Sequence, residues 1–156
     1  MAEEEKPKRF GIRVNTSSFK VAGFTRAYLE RMYKYPFSWG ISTRNYVWLD
    51  IDLTPPTHIP TPEEMAELKE RYRNDVIAIA WDVASRWRCH VDVYETPHGY
   101  HILWWRRFRH WRTVLRFVKT FYALFPNLID RKWVEACERR GYLTLRINWI
   151  RRVYHA

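Results

Sequence analysis

Hydrophobic and polar residues alternate strictly from Tyr46 to Leu53, which is typical of a β-strand with two unlike faces. One row of this strand is aliphatic, whereas the other carries Asp50 and Asp52. Pro55-Pro56 follows, and proline cannot donate to a strand ladder. The pattern therefore predicts a strand over residues 46–53 that presents two carboxylates on its polar face.

A long helix is predicted directly after this strand. Thr61-Pro62-Glu63-Glu64 combines an N-cap threonine, a proline at the first helical position and a capping-box glutamate. Apolar residues at helical spacing then continue to about Arg86. These residues are Met65, Leu68, Tyr72, Val76, Ile79 and Val83.

The remaining patterns complete the order β-α-β-β-α-β, which is that of the ferredoxin-like, or RRM-like, α+β fold. That fold has strand order 4-1-3-2, with both helices on one face of the sheet. The further predicted elements are strands at 89–96 and 100–105 around a Pro97-His98-Gly99 turn, a helix at 111–125, a short helix from Arg131 to Gly141, and a strand at 142–148.

The first 45 residues give weaker patterns. The chain of 156 residues has the length of one domain, with enough apolar residues to form a core. We expect a flexible charged tail at 1–9 and a single domain at 10–156, divided into an α/β accessory layer at 10–45 and an RRM-like core at 46–150. Within the accessory layer, short strands are expected in 10–21 and a helix over 24–35.

The predicted topology brings chemically useful side chains together. The apolar rows must face the helices, so the polar rows lie on the open face of the sheet. Strands one and three are central, which makes Asp50, Asp52 and His101 close neighbours. The same face is expected to carry Tyr94, Arg146 and Asn148.

Two aspartates side by side repel each other unless a cation lies between them, and oxygen ligands suit Mg²⁺ or Mn²⁺. Such ions align an attacking oxygen with a nucleotide phosphate. His101 and Arg146 have side chains that bind phosphate oxygens. The alternatives are a solvated acidic patch, a structural histidine and an ordinary surface arginine. Asp130, after the second helix, is a candidate third ligand.

The charge distribution indicates a polyanionic partner. The chain has 27 Lys and Arg against 17 Asp and Glu, a net charge of +10. Residues 89–156 hold most of this excess, including a cluster from Arg106 to Arg116. Such asymmetry is typical of nucleic-acid binding, and the alternative is a solvated basic surface. Absent glutamine and abundant arginine favour a thermophilic source.

Composition also excludes several classes of protein. No run of eighteen apolar residues is present, and the charged N-terminus lacks the apolar segment of a secretory signal. Cys89 and Cys137 are too few for a disulfide framework and lack the spacing of a zinc site. We therefore expect a cytoplasmic protein with no membrane partner and no zinc.

Four short motifs in this order resemble those of the archaeo-eukaryotic primase superfamily, which includes the primase-polymerases. Trp48-Leu-Asp50-Ile-Asp52 resembles its hydrophobic-D-hydrophobic-D motif. The segment from Thr96 to His101 is similar to its second motif, a glycine-rich turn leading to a strand histidine. Leu128-Ile129-Asp130 resembles the third motif, and Arg139-Arg140 with Arg146-Ile147-Asn148 resembles the arginine-rich segment that follows.

The resemblance implies a DNA primase or primase-polymerase, a nucleotidyltransferase that makes or extends primers on single-stranded DNA from NTPs or dNTPs. It implies two Mg²⁺ or Mn²⁺ ions held by Asp50, Asp52 and Asp130. The implied nucleotide-binding residues are His101, Arg146, Thr96, Gly99 and Asn148. The nucleic-acid-binding residues would be Arg106, Arg107, Arg109, Arg112, Arg139 and Arg140.

The sequence also departs from the family. Gly99 stands where the second motif usually has a serine, two positions before the histidine. The zinc-binding element of many members is absent, and the chain stops after the last motif. We therefore expect a minimal catalytic core of archaeal plasmid or viral type, which depends on a replicative helicase or accessory subunit.

Three alternatives remain open. A non-catalytic RRM-like module would bind single-stranded nucleic acid, with Trp48 and Tyr94 stacking on bases. A nicking replication initiator needs two histidines separated by one residue, whereas two residues separate His98 and His101. A diverged, inactive primase-like fold would serve assembly.

Overall fold

The computed structural model describes residues 13–14, 40–146 and 150–156. Within these residues the chain forms three helices and two antiparallel sheets, so the expected α+β class is confirmed. The strands are β1 (Arg13–Val14), β2 (Gly40–Thr43), β3 (Trp48–Asp52), β4 (Val91–Thr96), β5 (Gly99–Trp104), β6 (Leu143–Arg146) and β7 (Arg151–His155), and the helices are α1 (Pro62–Trp87), α2 (Trp111–Leu124) and α3 (Arg131–Arg140).

Helix α1 begins where its local sequence predicts. The Thr61 hydroxyl accepts the backbone N–H of Glu64, and the Glu64 carboxylate accepts that of Thr61, so the predicted capping box is confirmed. The helix ends at Arg88, which adopts the left-handed conformation. Helix α3 likewise ends at Gly141, with φ of 83°, as the sequence predicts.

The four-stranded sheet has the order β3-β5-β4-β7, with every neighbouring pair antiparallel. Its centre follows the prediction, because the strand at 99–104 lies between those at 48–52 and 91–96. Pro97 and His98 form a two-residue turn in place of the predicted three-residue turn. Strand β7, which no sequence pattern indicated, pairs with β4 at the edge.

The predicted order 4-1-3-2 is wrong for strand four, which corresponds to β6. Strand β6 pairs with β2 in a separate three-stranded sheet of order β1-β2-β6, with Ile41 opposite Leu145. The edge of β3 that β6 was expected to occupy is taken by the segment before α3. There the Asp52 N–H donates to the Leu128 carbonyl at 2.9 Å, and Ile51 pairs with Ile129. A strand edge accepts one partner, so β6 pairs elsewhere.

Helices α1 and α2 cover one face of the four-stranded sheet, as predicted. The Trp104 indole donates to the Ala80 carbonyl of α1 at 2.9 Å and stacks on Phe121 of α2 at 5.2 Å. Trp87 packs edge-on against Phe117 at 4.9 Å and so joins the two helices. Aromatic and aliphatic contacts of this kind form the core between helices and sheet.

The described helices include none with the length and apolar character needed to cross a bilayer. Most of the expected N-terminal accessory layer lies outside the described residues, as do the tail at 1–9 and the helix at 24–35. Within that layer, β1 pairs with β2. Asn148 also lies outside the described residues.

Candidate functional site

Strand β3 and its neighbour β5 bring the predicted site residues into register. Asp50 pairs with His101 and Asp52 pairs with Gly99. Residues paired across antiparallel strands project from the same face, with Cβ atoms about 5 Å apart. Tyr94 pairs with His101 from the other side and joins this face. The predicted grouping of Asp50, Asp52, Tyr94 and His101 on one face is therefore confirmed.

The two aspartates are accessible and have few partners. The Asp50 side chain is 32% exposed, and Asp52 is also partly buried. One oxygen of Asp52 accepts the backbone N–H of Thr54 at 2.9 Å, which fixes that carboxylate at the end of β3. The remaining carboxylate oxygens can accept further donors or bind a cation.

His101 lies beneath this surface and contacts Asp50. Its side chain is only 5% exposed, and its Nε2 lies 3.4 Å from Oδ1 of Asp50. This distance is longer than that of a usual N–H···O hydrogen bond, so the ring packs beneath the carboxylate. The role expected from the sequence, contact with a nucleotide phosphate, stays a prediction, and the observed partner of the ring is Asp50.

Asp130 reaches the same edge through the backbone. The antiparallel pairing of Ile51 with Ile129 places position 130 opposite position 50. Asp130 is extended and lies at the N-cap of α3, where its carboxylate accepts the Lys132 N–H at 3.0 Å. Its carboxylate is thus engaged with the helix, although its backbone lies across from Asp50.

The described residues include no group of three or more His, Cys, Asp and Glu side chains arranged to hold a metal. Asp50 and Asp52 point from one strand, whereas the Asp130 carboxylate caps α3. A third carboxylate ligand therefore requires Asp130 to leave its cap, at a cost of about 1 kcal/mol in helix stability.

Gly99 has a steric reason to be glycine. A Cβ at this position would lie 2.0 Å from the Ile51 carbonyl oxygen, which belongs to β3. The nearby Leu53 N–H donates to the His98 carbonyl at 2.8 Å and ties the hairpin turn to the end of β3. Thr96 pairs with Gly99 and is buried. The close approach of β5 thus sets the position of Asp52.

The negative charge of Asp50 affects the pKa of Cys137 on α3. Burial raises the pKa of this thiol to about 11, the Thr144 N–H and the charge of Arg140 oppose the rise, and Asp50 adds to it. Cys137 is fully buried and stays protonated at neutral pH. Asp50 and Arg140 therefore act on the same buried thiol from different elements.

The polar face of the sheet is not open along its whole width, contrary to expectation. Tyr46, Trp48 and Tyr94 are buried, and Trp105 packs edge-on against Trp48 at 5.9 Å. The indole N–H of Trp48 is buried without a hydrogen-bond partner in the described part of the chain. Large aromatic side chains exclude water here, which leaves the aspartate end as the accessible part.

The predicted basic residues lie on several separate elements. Arg146 pairs with Gly40 in the three-stranded sheet, because β6 does not lie at the edge of β3. The expected position of Arg146 on a strand beside Asp50 is therefore wrong. All of the other predicted arginines are exposed, namely Arg106, Arg107, Arg109, Arg112, Arg139 and Arg140. Arg139 and Arg140 occupy the last turn of α3, where cations favour the helix dipole.

Two further clusters of charged residues have no signal in the sequence pattern. Asp92 accepts the Trp105 indole N–H at 2.9 Å and contacts both Arg152 and His155. Arg44 lies beside the start of α2, where it lines a groove together with Arg112. Both clusters join residues far apart in sequence, and no local spacing indicated them.

Comparison of the chain with models of protein families, with curated proteins and with solved structures finds no match. The resemblance to primases therefore rests on the four short motifs. The functional interpretation therefore depends on the geometry of the aspartates.

Proposed function

We propose that the protein is a divalent-metal-dependent nucleotidyltransferase that copies single-stranded DNA, of the primase or primase-polymerase type. The observation that carries this proposal is the pairing of Ile51 with Ile129, which puts Asp130 opposite Asp50. Asp130 is distant in sequence from Asp50 and Asp52, yet its backbone meets theirs at one accessible edge. Three carboxylates at one edge are a donor set for Mg²⁺ or Mn²⁺.

The charge around these carboxylates supports a cation site. Asp50, Asp52 and Asp130 make no ion pair with any lysine or arginine among the described residues, although the chain carries a net charge of +10. By contrast, Glu95 and Asp92 each contact at least one such cation. Neighbouring carboxylates without a counter-charge repel one another, and a divalent ion would relieve that repulsion.

The chain's own residues would prepare the site. The Thr54 N–H fixes Asp52, His101 supports Asp50 from below, and Asp130 becomes a ligand by leaving the cap of α3. Divalent ions, when bound, would neutralise the triphosphate and align the attacking oxygen with it. Thr96, Gly99, Arg146 and Asn148 stay the proposed additional nucleotide contacts.

The proposal includes an RRM-like fold for the catalytic sheet. The order of elements along the chain and the adjacency of β3, β5 and β4 support it. The displaced β6 and the additional β7 are departures from that topology. The segment before α3 lies beside β3 in place of the fourth strand, so Asp50 and Asp52 still have a neighbour on each side, as on a central strand.

A purely nucleic-acid-binding module is the less favoured alternative. In such a module, aromatic side chains on the sheet surface stack on bases. Trp48 and Tyr94, the residues expected to do so, are buried at 0% and 4% exposure. The accessible part of the face carries carboxylates, which repel a phosphate backbone.

The test is nucleotide incorporation on a single-stranded DNA template with Mn²⁺ or Mg²⁺. The wild type is compared with Asp50→Asn/Asp52→Asn, and with Asp75→Asn as a control at an exposed carboxylate on α1. Ribo- and deoxynucleotides are supplied separately, with and without a primer. We expect incorporation by the wild type and the control, and at least a hundredfold loss in the double variant.

Each outcome of this experiment bears on the proposal. Incorporation that the double variant retains would overturn the assignment of the aspartates. No incorporation by the wild type in any lane would overturn the proposed activity for the isolated chain. With incorporation established, the successful lanes identify the sugar preference and show whether a primer is required.

A further inference from the structure

A groove lies between the turn after β2 and the first turns of α2. It has a volume of about 600 Å³ and is lined by Arg44, His110, Trp111, Arg112, Thr113 and Arg116. Two hydrogen bonds hold its walls together, from the Phe108 N–H to the Asn45 carbonyl at 2.6 Å and from the Asn45 side chain to the Phe108 carbonyl at 2.9 Å. The groove therefore belongs to the ordered framework of the fold.

The described lining of this groove is positive and includes no carboxylate. Arg44, Arg112 and Arg116 are exposed, and none of them makes an ion pair with a described residue. Some other surface cations are paired, such as Arg131 with Glu135 and Lys119 with Glu138. Unpaired guanidinium groups that converge from two elements focus a positive potential on the space between them.

The positive surface continues along α2. Arg112 and Arg116 lie on the same outer side of the helix and also line a second, shallower depression that extends to Leu124. Arg112 and Arg116 are four residues apart, which is about 6 Å along the helix axis. A linear polyanion fits such a series of cations better than a single small anion does.

Trp111 adds an aromatic surface to the groove. Its ring is half-buried and packs against the core, so part of it faces the groove. A ring supported in this way can stack on a base while the neighbouring arginines contact phosphates. The combination of arginines and an aromatic ring is typical of surfaces that bind single strands.

We propose that this groove and the outer side of α2 bind the backbone of single-stranded nucleic acid, with Trp111 stacked on one base. The inference rests on the proposed function for the use of that strand as a template. Arg44 and Asp50 are six positions apart in the chain, which limits their Cα separation to about 20 Å. A short stretch of bound strand can therefore extend from the groove to the aspartates.

The test is the affinity of the full chain for a fluorescent oligo(dT), measured by anisotropy over a series of salt concentrations without metal or nucleotide. The groove variant is Arg112→Gln/Arg116→Gln. The matched control, Arg71→Gln/Arg86→Gln, removes the same charge from exposed positions on α1. Loss of two phosphate contacts should lower the salt slope by about 1.4 and weaken binding roughly tenfold, with no change in slope for the control.

A second comparison tests the aromatic contact. Trp111→Ala should weaken binding roughly tenfold, and Trp111→Phe should retain most of the affinity because a ring remains. Thermal melting of both variants separates lost stacking from lost folding. Equal affinities for wild type and a folded Trp111→Ala variant would overturn the assignment of Trp111.

The results also separate this inference from the proposed function. Equal weakening by the groove and control variants, or wild-type binding to anionic vesicles but not to oligo(dT), would overturn the groove assignment. Retained binding by Asp50→Asn/Asp52→Asn is expected, since those residues lie outside the groove. Groove-dependent binding without any incorporation would support the groove assignment and overturn the proposed activity. Incorporation by a wild type whose binding does not depend on the groove would support the activity and overturn the groove assignment.

Discussion

Two carboxylates on the same face of the same sheet have opposite surroundings. Asp92 is 12% exposed and receives the Trp105 indole N–H, the Arg152 guanidinium and the His155 ring. Asp50 is 32% exposed, and the one side chain described in contact with it is the buried His101. The first carboxylate is saturated and joins β7 to β4, whereas the second keeps free acceptor capacity at an accessible edge. Partners, not residue type, therefore distinguish a structural carboxylate from a candidate ligand.

The largest expected difference between the two regions is in stability. Asp92→Ala removes the acceptor for Arg152 and His155 and should lower the free energy of unfolding by about 3 kcal/mol. Asp52→Ala removes a partly exposed carboxylate and should change it by about 0.5 kcal/mol. Urea unfolding followed by circular dichroism measures both. Equal losses would contradict the division into structural and ligand carboxylates.

Stabilisation by a bound metal ion should depend on Asp50 and not on Asp92. Mn²⁺ at a hundredfold excess over its dissociation constant should stabilise the wild type by about 2.7 kcal/mol, because it binds the folded site. Thermal melting measures this gain, and EDTA should reverse it. Asp50→Asn should abolish the gain, whereas Asp92→Asn should keep it on a lower baseline. A gain that persists in Asp50→Asn would place the ion elsewhere.

Gly99 tests whether the backbone positions the aspartate end. Gly99→Ala introduces a Cβ that would lie 2.0 Å from the Ile51 carbonyl oxygen, so β3 and β5 must separate. We expect a loss of about 2 kcal/mol in unfolding free energy and weaker Mn²⁺ binding. Gly141→Ala is the control, with a loss of about 1 kcal/mol from its positive φ and no effect on Mn²⁺. Unchanged Mn²⁺ binding in Gly99→Ala would show that β3 tolerates the displacement.

Local sequence patterns predicted much of this fold. The capping box at Thr61 and the glycine at position 141 each satisfy helix ends with neighbouring residues, so they could be predicted without the tertiary structure. Alternation in β3 likewise predicted that Asp50 and Asp52 share a face. The pairing of Asp50 with His101 followed from the predicted hairpin and central strand.

The departures involve contacts between distant parts of the chain. Leu128 and Ile129 occupy the edge of β3 and displace β6, and a short irregular segment gives no periodic signal for this. Strand β7 is fixed by Arg152 and His155 at Asp92, a cluster that only the folded chain assembles. The buried aromatic half of the polar face was missed because alternation identifies a face but not what covers it.

The smallest expected effect concerns a third kind of carboxylate, Glu95, which is paired on the helix side of β4. Burial raises its pKa, but hydrogen bonds from Lys69 at 2.9 Å and Arg151 at 2.8 Å outweigh this and lower the pKa overall below 4.5. Its stabilising contribution is therefore present above pH 4.5 and lost as the pH falls through the lowered pKa. Because the pair with Arg151 is exposed, we expect less than about 1 kcal/mol.

Glu95→Gln should flatten the acid limb of the stability curve relative to Glu67→Gln, an exposed control on α1. Identical acid limbs in the two variants would show that Glu95 is no more coupled to folding than an ordinary surface carboxylate.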